Sequence, residues 1–422
     1  MSTETERPPP VGTLAEYSEA PFARRTEWAQ EGDLVRITGP DADHHMAVHP
    51  DHVEEIVFDQ RRFKKFEAYE SVFGKGVISV YGDQWRAQRG AIQPAFVPQK
   101  VRQYVTQMRG VVRSVTNRLG GGGTFDARSV FSDLTMEVML RALYGGVNGK
   151  EPISAAAERI TEWFLESATA GDVPPEVQGG YESGLSELVT LIDEMVAERD
   201  GSEDGDLLSM LIALGADSDA EYTSDRIRDE MITMLFAAHE TTALTLTYTL
   251  YLLADSPGVE QRLHAEIDEV VDGELPTAEE IDELTYTEQV IDEALRLYCP
   301  AHALFRETTE EISLDGYTIP QGDVVQLPQW VIHRDERWWD EPTAFRPERF
   351  DERDHRSYAF FPFGVGPRRC IGEDFARAES KLVVASLCNQ FSFDRLTEEF
   401  EMHASLTAVP DRPIELVAHD RG

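Results

Sequence analysis

The 422-residue chain has little lysine, little cysteine and no long apolar run free of charge. Six lysines, at positions 64, 65, 75, 100, 150 and 381, leave arginine to supply nearly all the positive charge. With 78 acidic against 39 basic residues, the formal net charge is −39. That argues against nucleic acid or an anionic membrane surface as partner. The acidic residues are dispersed rather than gathered in a tail, so they read as a solvated shell. The expectation is a high-salt (halophilic) cytoplasm, where screening removes self-repulsion. Three cysteines, Cys299, Cys370 and Cys388, make no disulfide framework and fit a reducing compartment. The N-terminal stretch has neither a basic region nor an apolar one, so no signal peptide or membrane anchor is expected. Residues 231–253 come closest to a membrane span, but His239 and Glu240 sit at the centre. A charge at that depth costs about 2.5–3.5 kcal/mol on insertion scales, which favours a buried core helix with a polar centre. Internal repeats and composition breaks are also lacking. A single domain over 1–422 is expected, with 1–12 a flexible arm and no second fused domain.

What is present centres on Phe363-Gly364-Val365-Gly366-Pro367-Arg368-Arg369-Cys370-Ile371-Gly372. An amphipathic helix is expected over 372–390, which puts Cys370 at a helix N-terminus. Unpaired N–H groups and the macrodipole there favour a thiolate. The glycines admit a close approach, and Arg368 suits a carboxylate. One reading is a socket for an iron porphyrin on an axial thiolate. The other is an inert cysteine in a buried turn.

Along the chain, residues 34–37 and 45–48 read as a hairpin and 50–59 as a helix. Residues 63–81 read as an irregular aromatic loop offering Phe66, Tyr69, Val72 and Phe73 to a ligand. Helical periodicity recurs over 99–119, 127–144, 153–170, 183–199 and 206–214, with a Gly/Pro-rich link at 171–180. The pair around that link reads as a lid. A long helix, capped by Thr223 or Ser224, runs to 255. Helices over 259–271 and 285–298 precede a β-rich stretch at 303–327, and the last thirty residues read as strands.

Three further short patterns stand out. Trp85 and Arg89 are four apart on one helix face and could grip a carboxylate together. In Ala237-Ala238-His239-Glu240-Thr241-Thr242, a buried acid beside a hydroxyl is costly unless used or well bonded. Thr241 could instead bond back to a carbonyl of its own helix. Glu293 and Arg296 pair at i, i+3 in an apolar context.

Taken together these residues resemble the cytochrome P-450 haem-thiolate monooxygenases. The ligand loop matches F-x-x-G-x-R-x-C-x-G at Phe363, Gly366, Arg368, Cys370 and Gly372. The other three signatures follow the family's order, and Arg349 matches the third member of the Glu293–Arg296 ion cluster. One departure is Ala238, where the family usually has glycine. The resemblance implies a mainly α fold with a smaller β-rich part (α+β), a triangular prism with a long central helix over haem b. It implies Cys370 as axial thiolate, screened by Phe363, and Trp85, Arg89, Arg306 and Arg368 as propionate holders. Glu240 and Thr241 would relay protons, while Glu293, Arg296 and Arg349 would be structural. Substrate walls would come from Phe66, Tyr69, Val72, Phe73, Phe236, Ala237, Ala238, Ala301, His302, Ala303, Leu304, Phe305 and Leu406. His302 is either a polar anchor or a buried, satisfied histidine. The implied reaction inserts one atom of O2 into an apolar substrate. Electrons would come from a separate ferredoxin and ferredoxin reductase, or a flavoprotein, docking at a basic patch of Lys100, Arg102, Arg109, Arg113 and Arg369. The alternatives are a peroxide-dependent relative, against which Glu240 and Thr241 speak, and a non-catalytic haem gas sensor or carrier.

Overall fold

The computed structural model describes residues 6–66, 70–146, 150–169, 173–199, 205–216, 222–351 and 358–421. Most of it is helical, because apolar residues recur at three- and four-residue spacing. Pro98–Leu119 shows the pattern, burying Val101, Tyr104, Val105, Met108, Val111, Val112 and Val115 along one stripe. It packs on Ala127–Leu143 and on Glu373–Gln390.

The axis of this core is Ser224–Leu253, 30 residues or about 45 Å. Thr223 caps it by accepting the Arg226 N–H. It is buried almost all round and packs on Ala127–Leu143, Thr285–Leu297 and Glu373–Gln390. Among the described residues no helix is long and apolar enough to cross a membrane.

A second core lies under a six-stranded sheet, ordered Pro10–Thr13, Leu34–Thr38, His44–Ala47, Val324–Leu327, Leu304–Thr308, Phe63–Lys65. The expected hairpin is there, with Val35 opposite Met46. A three-stranded sheet joins Phe391–Arg395, Glu415–Asp420 and Gly123–Asp126.

Two expectations fail. Residues 6–12 are not a loose arm. Pro10–Thr13 pairs in parallel with Leu34–Thr38, and Arg7 bridges Asp323 at 2.7 Å and Asp43 at 3.0 Å. A proline-rich run is already extended, and an edge strand tolerates its missing N–H groups. The second miss is the link at 171–180. A helix already begins at Pro175 and runs to Ala197, with proline in its first turn. Tyr181 stacks on Trp163 at 4.6 Å, so packing against Glu151–Thr169 overrides the low propensity of Gly179 and Gly180.

Candidate functional site

The Cys370 loop ends where Glu373–Gln390 begins, with Gly372 at the cap. The Cys370 N–H donates to the Phe363 carbonyl at 2.8 Å, closing the loop on itself. Gly366 has φ +74° and lies against Val57, where a Cβ would come within 3.2 Å. Cys370 keeps solvent-accessible surface although protein atoms crowd round it. Burial pushes its thiol pKa up, the Gly372 N–H pulls it down, Glu373 raises it, and Arg89 and Arg369 lower it. The helix mouth alone therefore does not make the thiolate. A bound cation would, because a coordinating thiol is deprotonated outright.

Cationic groups converge beside this loop. Arg368 lies over the Trp85 ring at 4.7 Å and donates to the Val80 carbonyl at 2.6 Å. Arg89, half-buried, donates to the Arg369 carbonyl at 2.9 Å. Arg306, on the sheet strand Leu304–Thr308, is buried and donates to the Phe305 carbonyl at 2.8 Å. Burial and repulsion from Arg306 and Arg89 bring the Arg368 pKa down to about 10. Lys65, which the sequence did not single out, joins them. Burial, Arg306 and Arg368 hold its pKa well below the usual range. One thiol sulfur flanked by three guanidiniums and an indole fits an iron porphyrin with two propionates.

The ion cluster is complete. Arg296 holds both oxygens of Glu293, at 2.8 and 2.9 Å, and Arg349 Nε adds a bond at 2.9 Å. Glu293 and Arg296 are fully buried. Arg296 also donates to the carbonyls of His333, Pro342 and Ala344, which ties Thr285–Leu297 to the segment leading to the thiolate loop.

In the middle of the long helix, Ala237 is exposed and Ala238 and Thr241 half-buried, although the helix is otherwise packed. Thr241 Oγ1 donates back to the Ala237 carbonyl at 2.7 Å. The carboxyl of Glu240 accepts from Thr407 Oγ1 at 2.9 Å and lies 3.5 Å from Arg128. Burial raises its pKa, against the pull of Arg128 and Thr407. Among the hydrogen bonds of the described residues, none joins Glu240 to Thr241. Glu240 instead borders a side cavity of about 250 Å³ with Arg128, Ser132, His239 and Ser405.

The expected substrate walls divide. Val72, Phe73 and Phe236 are buried, and Phe66 lies 6.3 Å from Phe305. Ala301, Ala303, Leu304 and Leu406 are half-buried. Tyr69 lies outside the described residues. Phe164 was not foreseen. Its ring lies 6.2 Å from Phe73 and 6.4 Å from Phe236, completing an aromatic trio. His302 is not a free polar anchor. Its Nδ1 accepts from buried Arg25 at 2.7 Å, which leaves Nε2–H to donate to the Ser405 carbonyl at 3.1 Å. Burial, then Arg25, holds its pKa at about 3. The basic patch is weaker than expected, because Arg102 pairs with Asp282 and Arg369 with Glu373. Arg113 is exposed and forms no ion pair among the described residues.

This geometry defines a haem-thiolate protein. The comparisons agree: a sequence model of the family described as Cytochrome P450 matches residues 5–417. Cyclooctat-9-en-7-ol 5-monooxygenase of Streptomyces melanosporofaciens is 31% identical over 377 residues, covering 85% of this chain and 82% of the relative. Cyclooctatin synthase of the same organism is 30% identical over 380 residues, covering 85% and 83%. Pentalenene oxygenase of Streptomyces avermitilis is 28% identical over 405 residues, covering 91% and 89%. The chain belongs to the cytochrome P450 family. It is a haem b monooxygenase, and Cys370 supplies the thiolate that ligates the iron.

Proposed function

We propose that this monooxygenase oxidises a largely hydrocarbon, cyclic substrate. The observation that carries this is the trio of aromatic rings of Phe73, Phe164 and Phe236, with Phe236 next in the chain to the exposed Ala237. With His302 committed to Arg25, orientation falls to shape rather than to a hydrogen bond. Two relatives carry the names of an alkenol and an alkene as substrates, in keeping with that reading.

Haem, when bound, supplies the oxygen activation and the transfer of one atom. The protein's part is local. Arg89, Arg306 and Arg368 hold the propionates, with Trp85 stacked under Arg368. Phe363, covered by Arg377 at 4.9 Å, keeps water from the sulfur. Glu240 takes protons at its carboxyl on the side-cavity face and delivers them towards the Thr241 hydroxyl. Electrons come from a separate, acidic ferredoxin and its reductase, at the face bearing Lys100 and Arg113, in a high-salt cytoplasm.

The test is turnover of the holoprotein with a surrogate ferredoxin, its reductase and a panel of cyclic alkenes. A ligand-induced spin shift followed by reductant-dependent, singly oxygenated product is expected. A panel that gives spin shifts only with carboxylated or basic compounds would sink the apolar-substrate reading.

A further inference from the structure

Residues 74–80 link two parts of the site. At one end, the helix Glu70–Phe73 delivers Phe73 to the aromatic trio. At the other, the Val80 carbonyl receives Arg368. The middle lies directly on the first turns of the long helix. A Cβ at Gly76 would meet Thr233 Oγ1 at 2.0 Å and the Asp229 carbonyl at 2.9 Å, so only glycine lets the two backbones approach. Two successive carboxylates of that helix accept the segment's N–H groups. Lys75 N donates to Asp229 at 2.8 Å and Val77 N donates to Glu230 at 2.9 Å. Gln88, from the Trp85 helix, clasps the Lys75 carbonyl at 2.7 Å.

Glu230 is an unusual anchor. It is fully buried, and among the described residues its second oxygen accepts no hydrogen bond. An ionised carboxylate there is poorly solvated.

We propose that Asp229 and Glu230 are positioning residues forming a proton-dependent latch, which seats residues 74–80 when Glu230 is neutral and loosens them when it ionises. This rests on the reading of Phe73 as substrate wall and of Arg368 as propionate holder. The groups that face Glu230 are Arg226 and Asp229 of its own helix, the Val77 N–H of the segment and Gln88 of the neighbouring helix. Burial dominates and raises the Glu230 pKa to about 7, Asp229 adds to the rise, and the others oppose it. The sign follows from linkage. With the segment seated, Glu230 holds its proton up to about pH 7. With the segment lifted and the carboxyl in water, it loses the proton at an ordinary carboxylate pKa. Seating therefore binds a proton, and rising pH favours lifting.

The test is amide hydrogen exchange over residues 70–80 in the haem-loaded protein from pH 5.5 to 8.5, corrected for intrinsic rates. It is paired with binding of 4-phenylimidazole, an apolar haem ligand used as a probe. In the wild type, protection should fall by up to about tenfold per pH unit between about 4.5 and 7 and level off above 7. Glu230→Gln keeps an acceptor but cannot ionise, so protection should stay high and flat. Glu230→Ala should be low and flat. Should Glu230→Ala fail to fold, Asp229→Asn serves: removing the neighbouring charge should move the transition to lower pH. Probe affinity should follow exchange in each variant. A Glu230→Gln protein that keeps the wild-type pH slope overturns the latch. Exchange that responds while probe affinity stays fixed overturns the positioning role, and with it the reading of Phe73 as substrate wall.

Discussion

Thr407 Oγ1 donates to Glu240 Oε2 at 2.9 Å, so a turn from the C-terminal β segment holds the acid of the central helix. Arg128, from a third element, stands on the other oxygen at 3.5 Å. The acid is thus parked on the side-cavity face, while Thr241 is bonded to its own helix. Thr407→Val should leave the fold intact but push the Glu240 pKa further up, since one of the groups that lowers it is lost. The expected effect is a fall of about tenfold in product formed per electron pair consumed, with Glu240→Gln losing up to about a hundredfold. Oxygen uptake measured against product formation checks it. Unchanged coupling in both variants removes Glu240 from the proton path.

Glu293→Ala should abolish the holoprotein. It leaves Arg296 fully buried without its carboxylate, and Arg349 loses the same partner. Breaking such a buried cluster costs about 3–5 kcal/mol, a large share of the stability of a typical protein. Haem content of purified protein, with its melting temperature, is the measurement. A soluble variant with full haem loading contradicts it.

His302 predicts a pH effect on stability. Its pKa is held at about 3 by burial and by Arg25, far below the ordinary imidazole value of 6.5. The folded state therefore binds fewer protons than the unfolded one between those values. Stability is intact above about pH 6.5 and falls as pH drops from there towards 3, by up to about 1.4 kcal/mol per unit. In His302→Gln that contribution vanishes. The stability difference between wild type and variant should shrink as pH falls from 7 to 5 in urea titrations. A difference that does not change with pH refutes this.

Salt should stabilise the protein. A net charge of −39 repels itself at low ionic strength, and the Debye length shrinks from about 10 Å at 0.1 M to about 3 Å at 1 M. Some exposed pairs, such as Arg102–Asp282, weaken in the same change, but each is worth under about 1 kcal/mol. A melting series in KCl should rise steadily to molar salt. A flat series removes the high-salt reading of the composition.

The site was legible where a residue's role follows from neighbours in the chain. Phe363, Gly366, Arg368 and Cys370 lie within eight positions, and Glu293 and Arg296 within one helical turn, so spacing alone brings each set together. The start of the long helix was narrowed to Thr223 or Ser224 in the same way, and Thr223 is the cap. Roles that depend on a partner from a distant element were not legible. Arg128 meets Glu240 across 112 positions, and Val77 meets Glu230 across 153. Phe164 looked like any apolar residue of an amphipathic helix. His302 could be placed in the pocket wall but not oriented, because what turns it is Arg25, 277 positions away. The docked N-terminal strand was missed because parallel pairing leaves no local mark.

The large sheet has a consequence for how the chain is made. Its strand at His44–Ala47 is flanked by Leu34–Thr38 on one side and by Val324–Leu327 on the other. The apolar faces of Val35, Ile37 and Met46 emerge early, yet Val325 and Leu327, which complete their core, are translated some 280 residues later. At roughly 5–20 residues per second that interval is on the order of tens of seconds. During it the nascent N-terminal third carries an open strand edge, a template for wrong pairing. Holdase binding early in synthesis, or slow codons placed after the sheet's last strand, should therefore govern how much of this enzyme reaches its folded form.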